Sequence, residues 1–156
     1  GGAAARLGLL SLRVLGVEGD AAARAAARDV GVAWALTGLL RAVPFHARER
    51  RIYLPASLNR QAGLGVFQLF EMRSPQALRP VVAAVANCAK SYLNAARATR
   101  YGVPRAALPA LLPATLAEGY LRRLQRAQYD QFAALAQKPG PLCLVQLDVN
   151  SARGRY

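Results

Sequence analysis

Between Asp20 and Pro44 the chain runs for about 23 residues without a proline, reading AAARAAARDVGVAWALTGLLRAV. Alanine, leucine and arginine dominate the run, and these residues lose least on entering a helix. Asp20 stands where a carboxylate can accept from the free N–H groups of a first helical turn. Pro44 has no N–H and clashes with the turn before it, so the spacing predicts a helix that stops there. At 1.5 Å per residue that helix would be about 35 Å long. Its second half is apolar nearly all round, which predicts a place at the centre of a bundle. An element of this length and polarity makes an all-α domain the natural expectation.

The rest of the chain agrees with that frame. Aromatic residues make up 7% and β-branched runs are short, so little favours a sheet. Residues 3–15 carry apolar positions at helical spacing and stop at Gly16. That opening bears arginine and serine and no acid, as transit peptides do, and it reads equally as an ordinary helix. Residues 44–64 read as a loop with at most one helical turn. A second long helix is predicted from Ser74-Pro75, or from Pro80, towards Gly102, with Val82, Val85, Ala89 and Leu93 on one face. Cys88 falls within its apolar pattern and is expected to be a small buried residue. The prolines of 104–113 mark a short connection. Residues 114–137 then read as a single amphipathic helix with Leu116, Tyr120, Leu124, Tyr129 and Phe132 on one side. Lys138-Pro139-Gly140-Pro141 stops it. The expected organisation is a helical domain over 1–137 and a short irregular tail over 138–156, a strand or an arm. Cys88 and Cys143 form no CxxC and the chain holds 1 histidine, so no metal cluster is predicted. No apolar run reaches the roughly 18 residues of a membrane span.

Charge narrows the partners. The chain has 21 Lys+Arg against 8 Asp+Glu, a net charge of +13, and nearly all the cations are arginine. A coding bias towards arginine is one explanation. The other is a counter-charged partner: RNA, an anionic membrane surface touched peripherally, or an acidic protein. Arg48, Arg50 and Arg51 crowd one loop. Arg122 and Arg126 share a helix face with Tyr129 close by, and Arg123, Arg153 and Arg155 add to the set. These are the candidate polyanion or partner contacts, with a solvated basic face as the alternative. No RNP, KH or zinc-finger motif is present.

The stretch GVAWALTGLLRAVPFHARERRIYLP, residues 31–55, resembles the second signature of the squalene/phytoene synthases. GLLSLRVLGV at 8–17 is similar to the helix before that signature. The segment 89–130, from AKSYLNAARATRYGVP onwards, resembles the two helices after it. The resemblance spans about residues 3–135. It is strongest to a divergent mitochondrial branch of the family that serves respiratory NADH dehydrogenase assembly. It implies part of an isoprenoid-synthase-like helical bundle, the C-terminal half of the family fold. The family joins two prenyl diphosphates, and two aspartates spaced Asp-x-x-x-Asp hold the Mg²⁺ that neutralises the leaving diphosphate. Arg41, Arg51, Tyr53, Leu54 and Pro55 stand where the family has them. The aspartate positions are occupied by Ala42 and His46, and the usual glutamine and asparagine positions by Ala35 and Gly38. Alanine offers no ligand, and imidazole suits softer metals than magnesium. The family's first aspartate-rich motif lies upstream of the matched region, and no two carboxylates here share its spacing.

The resemblance therefore implies a vestigial pocket of Arg41, Ala42, His46, Arg51 and Tyr53, with no catalytic residue, metal or cofactor. The expected function is that of a catalytically inactive structural subunit or assembly factor of a mitochondrial complex. That complex is either NADH dehydrogenase during its biogenesis or the mitochondrial ribosome, where rRNA would supply counter-charge. The expected location is the matrix or the matrix side of the inner membrane. Two alternatives stay open: a Mg-dependent prenyl-diphosphate synthase completed by another chain, and an inert domain that senses prenyl diphosphates.

Overall fold

The computed structural model describes residues 2–136 and residue 156. It is all helical: α1 spans Gly2–Val14, α2 Ala21–Arg48, α3 Ala56–Gln61, α4 Val66–Phe70, α5 Leu78–Ala98, α6 Leu108–Leu111, α7 Pro113–Arg126 and α8 Gln131–Ala136. Two 3₁₀ turns, Arg100–Gly102 and Arg105–Ala107, connect α5 to α6. Among the described residues there is no strand.

α1 and α2 form a tight hairpin. Gly16, at φ +69°, ends α1 in the left-handed conformation that closes a helix C-terminus. Asp20 then caps α2, its carboxylate accepting from the Ala23 N–H at 2.6 Å. Ala23, Ala26 and Ala27 are buried on α2 and let the two backbones approach closely. The approach is closest at Gly8, where a Cβ would lie 2.9 Å from the Ala27 carbonyl oxygen. α2 is the axis of the molecule: α1, α5, α7 and α8 all pack along it. Its Val30, Ala33, Leu40 and Val43 meet Leu78, Val82, Val85, Ala89 and Leu93 of α5 and Leu121 and Leu124 of α7 in one core. The expected central place of α2, and the expected face of α5, are both observed.

α2 does not end at Pro44. It continues through the proline to Arg48, with Val43, Pro44 and Ala47 buried. A proline inside a helix costs about 3 kcal/mol. Burial of this last turn offsets that cost. The stop is made just past Arg48, where Arg50 takes φ 55° and the Arg51 N–H donates to the His46 carbonyl at 2.8 Å. Residues 44–64 thus hold the end of α2 and α3, and α4 follows them rather than continuing a loop. α5 begins at Leu78, so Ser74 is not its cap, and Pro80 sits in its first turn as the second of the two expected starts had it. The helix ends at Ala98 before the 3₁₀ turn that reaches Gly102.

The helix expected over 114–137 is broken in two. Gln128 and Tyr129 adopt φ 52° and 58°, and the Tyr129 N–H closes α7 on the Leu124 carbonyl at 2.9 Å. Asp130 starts α8 by accepting from the Phe132 and Ala133 N–H groups at 3.0 and 3.1 Å. An ion pair to Arg79 at the start of α5, 3.4 Å away, fixes that corner. The break lets α8 lie against α2, which one straight helix would carry it past. Cys88 is exposed, not buried. α5 buries a single stripe through Leu78, Val81, Val85, Ala89, Leu93 and Ala96, and Cys88 lies behind it with Asn87 and Ser91. The expected tail structure over 138–155 falls outside the described residues. Tyr156 is buried, its hydroxyl donating to the Ala96 carbonyl at 2.9 Å.

Candidate functional site

The corner whose sequence resembles the second signature is the last two turns of α2 and the chain that follows them. Ala42 and His46 lie four residues apart on one helix face, both half-buried. The His46 ring packs edge-on against Tyr53, with centroids 4.6 Å apart and planes at 67°. Arg51 pairs with Glu49 at 3.6 Å, both side chains being mostly in solvent. The gap among Leu39, Val43, His46, Arg51, Ile52, Tyr53, Leu54 and Leu69 measures about 10 Å³. A space of that size holds at most one water molecule. No prenyl chain fits there.

Magnesium does not fit the donors either. It takes hard oxygen ligands in an octahedron. Here one position offers a methyl group and the other an imidazole already packed on a tyrosine. Among the described residues no group of three His, Cys, Asp or Glu side chains converges anywhere.

Arg41 is not the helix-terminal arginine that a stop at Pro44 would have made it. It sits mid-helix, and its guanidinium lies 6.0 Å from the ring centroid of Tyr120 on α7. Arg123 approaches the same ring to 5.9 Å. Tyr120 itself is buried and donates its hydroxyl to Gln131 Oε1 of α8 at 2.6 Å. Burial pushes its phenol up to about 12, although the Gln131 contact and both guanidinium charges act the other way. The expected pocket set is therefore divided. Arg41 belongs with Tyr120 and Arg123, whereas His46, Arg51 and Tyr53 line the small gap beneath.

The expected basic set is divided as well. Arg48, Arg50 and Arg51 are exposed together at the end of α2. Arg122 instead bridges to Glu118 at 3.7 Å, and Glu118 is held by Arg97 of α5 at 2.7 Å. Burial raises the Glu118 carboxyl, but the Arg97 hydrogen bond and the charges of Arg97 and Arg122 outweigh it and leave it below the ordinary glutamate value. Arg126 is exposed beyond this pair, and Tyr129 has left the helix and turned towards the core. Arg153 and Arg155 lie outside the described residues.

Sequence reasoning missed the tyrosine with two guanidinium groups and the Arg97–Glu118–Arg122 cluster. The only legible signal was the Glu118–Arg122 spacing of four; the other partners come from distant helices. It also missed an open face on the central helix. Trp34, Gly38, Arg41, Phe45 and Arg48 follow one another at helical spacing, and all are exposed. Nothing lies within 4 Å of where a Gly38 Cβ would be. Gly38 is one of the positions the resemblance assigns to a polar side chain of the family.

A profile of the squalene/phytoene synthase family matches residues 1–143. The chain belongs to the squalene/phytoene synthase family. Its relatives include the mouse protein named NADH dehydrogenase (ubiquinone) complex I, assembly factor 6, which is 34% identical over 147 residues. That alignment takes in 94% of this chain and 44% of the mouse protein. The human protein of the same name is 30% identical over 147 residues, again 94% of this chain and 44% of the relative. The Dictyostelium discoideum homolog is 32% identical over 144 residues, 91% of this chain and 40% of the relative. The chain thus spans less than half the length of these relatives. No solved structure matches it significantly.

Proposed function

We propose that this chain is a catalytically silent member of the squalene/phytoene synthase family that acts as an assembly factor for respiratory NADH dehydrogenase. The observation that carries the reading is the corner of α2. Where the resemblance places two metal-holding carboxylates, this chain has Ala42 and His46, and the gap that His46 lines measures about 10 Å³. Ionising a prenyl diphosphate without that metal would forfeit several kcal/mol of transition-state stabilisation, or several powers of ten in rate. The names of the mouse, human and Dictyostelium relatives support the assembly role. The compartment follows from it: the mitochondrion, on the matrix side of the inner membrane, with protein subunits of the complex as partners. The helical unit over 1–137 would be the part that meets them.

Two measurements test this. Depleting the protein in its native cells is expected to lower the amount of assembled NADH dehydrogenase, and re-expression is expected to restore it. Purified protein given Mg²⁺ and farnesyl or geranylgeranyl diphosphate is expected to release no diphosphate above the uncatalysed rate. Turnover dependent on Mg²⁺ would return the chain to the synthases. Normal complex levels after depletion, with RNA in the purified material, would move it to a ribonucleoprotein.

A further inference from the structure

The junction of α7 and α8 is a break that the local sequence does not require. No glycine or proline lies between Gly119 and Pro139, and residues 114–137 carry apolar positions at the spacing of one helix. The chain turns there through two successive left-handed residues, Gln128 at φ 52° and Tyr129 at φ 58°. Residues other than Gly, Asn and Asp visit that region rarely and singly, and a bulky tyrosine there is strained. Such strain persists only where surrounding contacts overrule it. Here they all meet at two residues. Gln131 Oε1 accepts from the buried Tyr120 hydroxyl at 2.6 Å. Asp130 accepts from the Phe132 and Ala133 N–H groups and pairs with Arg79 at 3.4 Å. The fit is incomplete, because Gln131 is fully buried and its amide nitrogen has no hydrogen-bond partner. An unpaired buried donor works against the bend.

We infer that α7 and α8 form a two-state element. One state is the bent form described above. The other is a straight form in which Pro113 to Ala136 make one continuous helix about 36 Å long. In the straight form Gln128 and Tyr129 take ordinary helical angles. The Phe132 and Ala133 N–H groups exchange the Asp130 carboxylate for the carbonyls of Gln128 and Tyr129, so their hydrogen bonds are kept. α8 leaves α2, and Gln131 leaves Tyr120. The bend therefore works as a lid hinged at 128–129, and what it governs is access to Tyr120. In the bent form that hydroxyl is buried, with Arg41 and Arg123 at 6.0 and 5.9 Å from the ring. In the straight form the side held by α8 is open. A molecule that contacts Tyr120 there would select the straight state. The inference stands apart from the assembly reading, and neither of the measurements above decides it.

The test is nuclear magnetic resonance relaxation dispersion on the 156-residue chain, which reads minor states exchanging in microseconds to milliseconds. Exchange is expected at Gln128, Tyr129 and Asp130, with the minor-state Cα shifts of Gln128 and Tyr129 in the helical range. Gln128→Gly relieves the left-handed strain and weakens the continuous helix, so it should abolish the exchange. Tyr120→Phe removes a bond made only in the bent form and should raise the ratio of straight to bent at least about fivefold. Asp130→Ala removes the cap and the Arg79 pair and should shift the ratio the same way. It carries the test if Tyr120→Phe loses the fold by circular dichroism. Minor-state shifts of a random coil over 131–136 would mean that α8 frays and would overturn the inference. So would exchange that survives Gln128→Gly, or a ratio that Asp130→Ala leaves unchanged.

Discussion

Tyr120 is buried between α2, α7 and α8, with its hydroxyl on Gln131 and its ring facing Arg41 and Arg123. Gln131 is fully buried, and its amide nitrogen has no hydrogen-bond partner, so the tyrosine is what satisfies the side chain. Tyr120→Phe keeps the ring and removes the donor, leaving a buried carbonyl unpaired. A loss of about 1–3 kcal/mol is expected in urea unfolding. The raised phenol adds a pH dependence of definite sign. Because folding favours its neutral form, its contribution is complete below the unfolded value near 10 and is lost as pH rises through about 12. Gly8 sets a second limit at the same scale. Gly8→Ala would gain about 1 kcal/mol of helix propensity. The added carbon would meet the Ala27 carbonyl oxygen at 2.9 Å, and that atom is backbone. Overpacking of about 1–3 kcal/mol outweighs the propensity. A lowered thermal midpoint is expected, and an unchanged or raised one would mean that α1 can slide on α2.

At the scale of elements, carboxylates tie the helices together. Glu118 joins α7 to α5 through Arg97, and Asp130 joins α8 to α5 through Arg79. For Asp130, burial acts upward, but the Ala133 and Phe132 N–H groups and the Arg79 charge leave the carboxyl below its usual value. Both groups therefore stabilise the fold above their unfolded values near 4 and lose that contribution as pH falls through their lower folded values. Acid unfolding is expected to set in below about pH 4. Each of Glu118→Gln and Asp130→Asn should flatten the stability profile there and cost on the order of 1 kcal/mol at neutral pH, since both pairs are partly solvated. A double change of Glu118 and Arg97 that costs no less than the sum of the two single changes would show that they act independently.

For the whole molecule, charge outweighs any single pair. With 21 cations and 8 acids, the described ion pairs neutralise only a part of the field. Salt screens such repulsion over a length that shrinks from about 30 Å at 0.01 M to about 3 Å at 1 M. The melting temperature is expected to rise with salt across that range, which is opposite to the trend for a protein held together by surface pairs. A fall would mean that the arginine pairs matter more than the net charge.

Particular residues show where legibility in the sequence stops. Asp20, Gly16 and the stripe Val82, Val85, Ala89 and Leu93 act through neighbours within a turn or two, so local spacing was enough to place α1, the start of α2 and the buried face of α5. Pro44, the unbroken helix over 114–137 and Cys88 were misread because distant contacts decide them. Burial of Val43, Pro44 and Ala47 carries α2 through a proline that would end an isolated helix. The pair to Arg79, 51 residues away, fixes the corner at which α7 ends and α8 begins. Cys88 faces solvent because of where α2 lies against α5. The sequence by itself determined that this chain is helical and basic, since each of these properties belongs to a residue or to its nearest neighbours. Only the tertiary structure decided that Arg41 faces Tyr120 and that Trp34 and Phe45 stay uncovered. Which side of a helix is buried depends on the helices that pack against it.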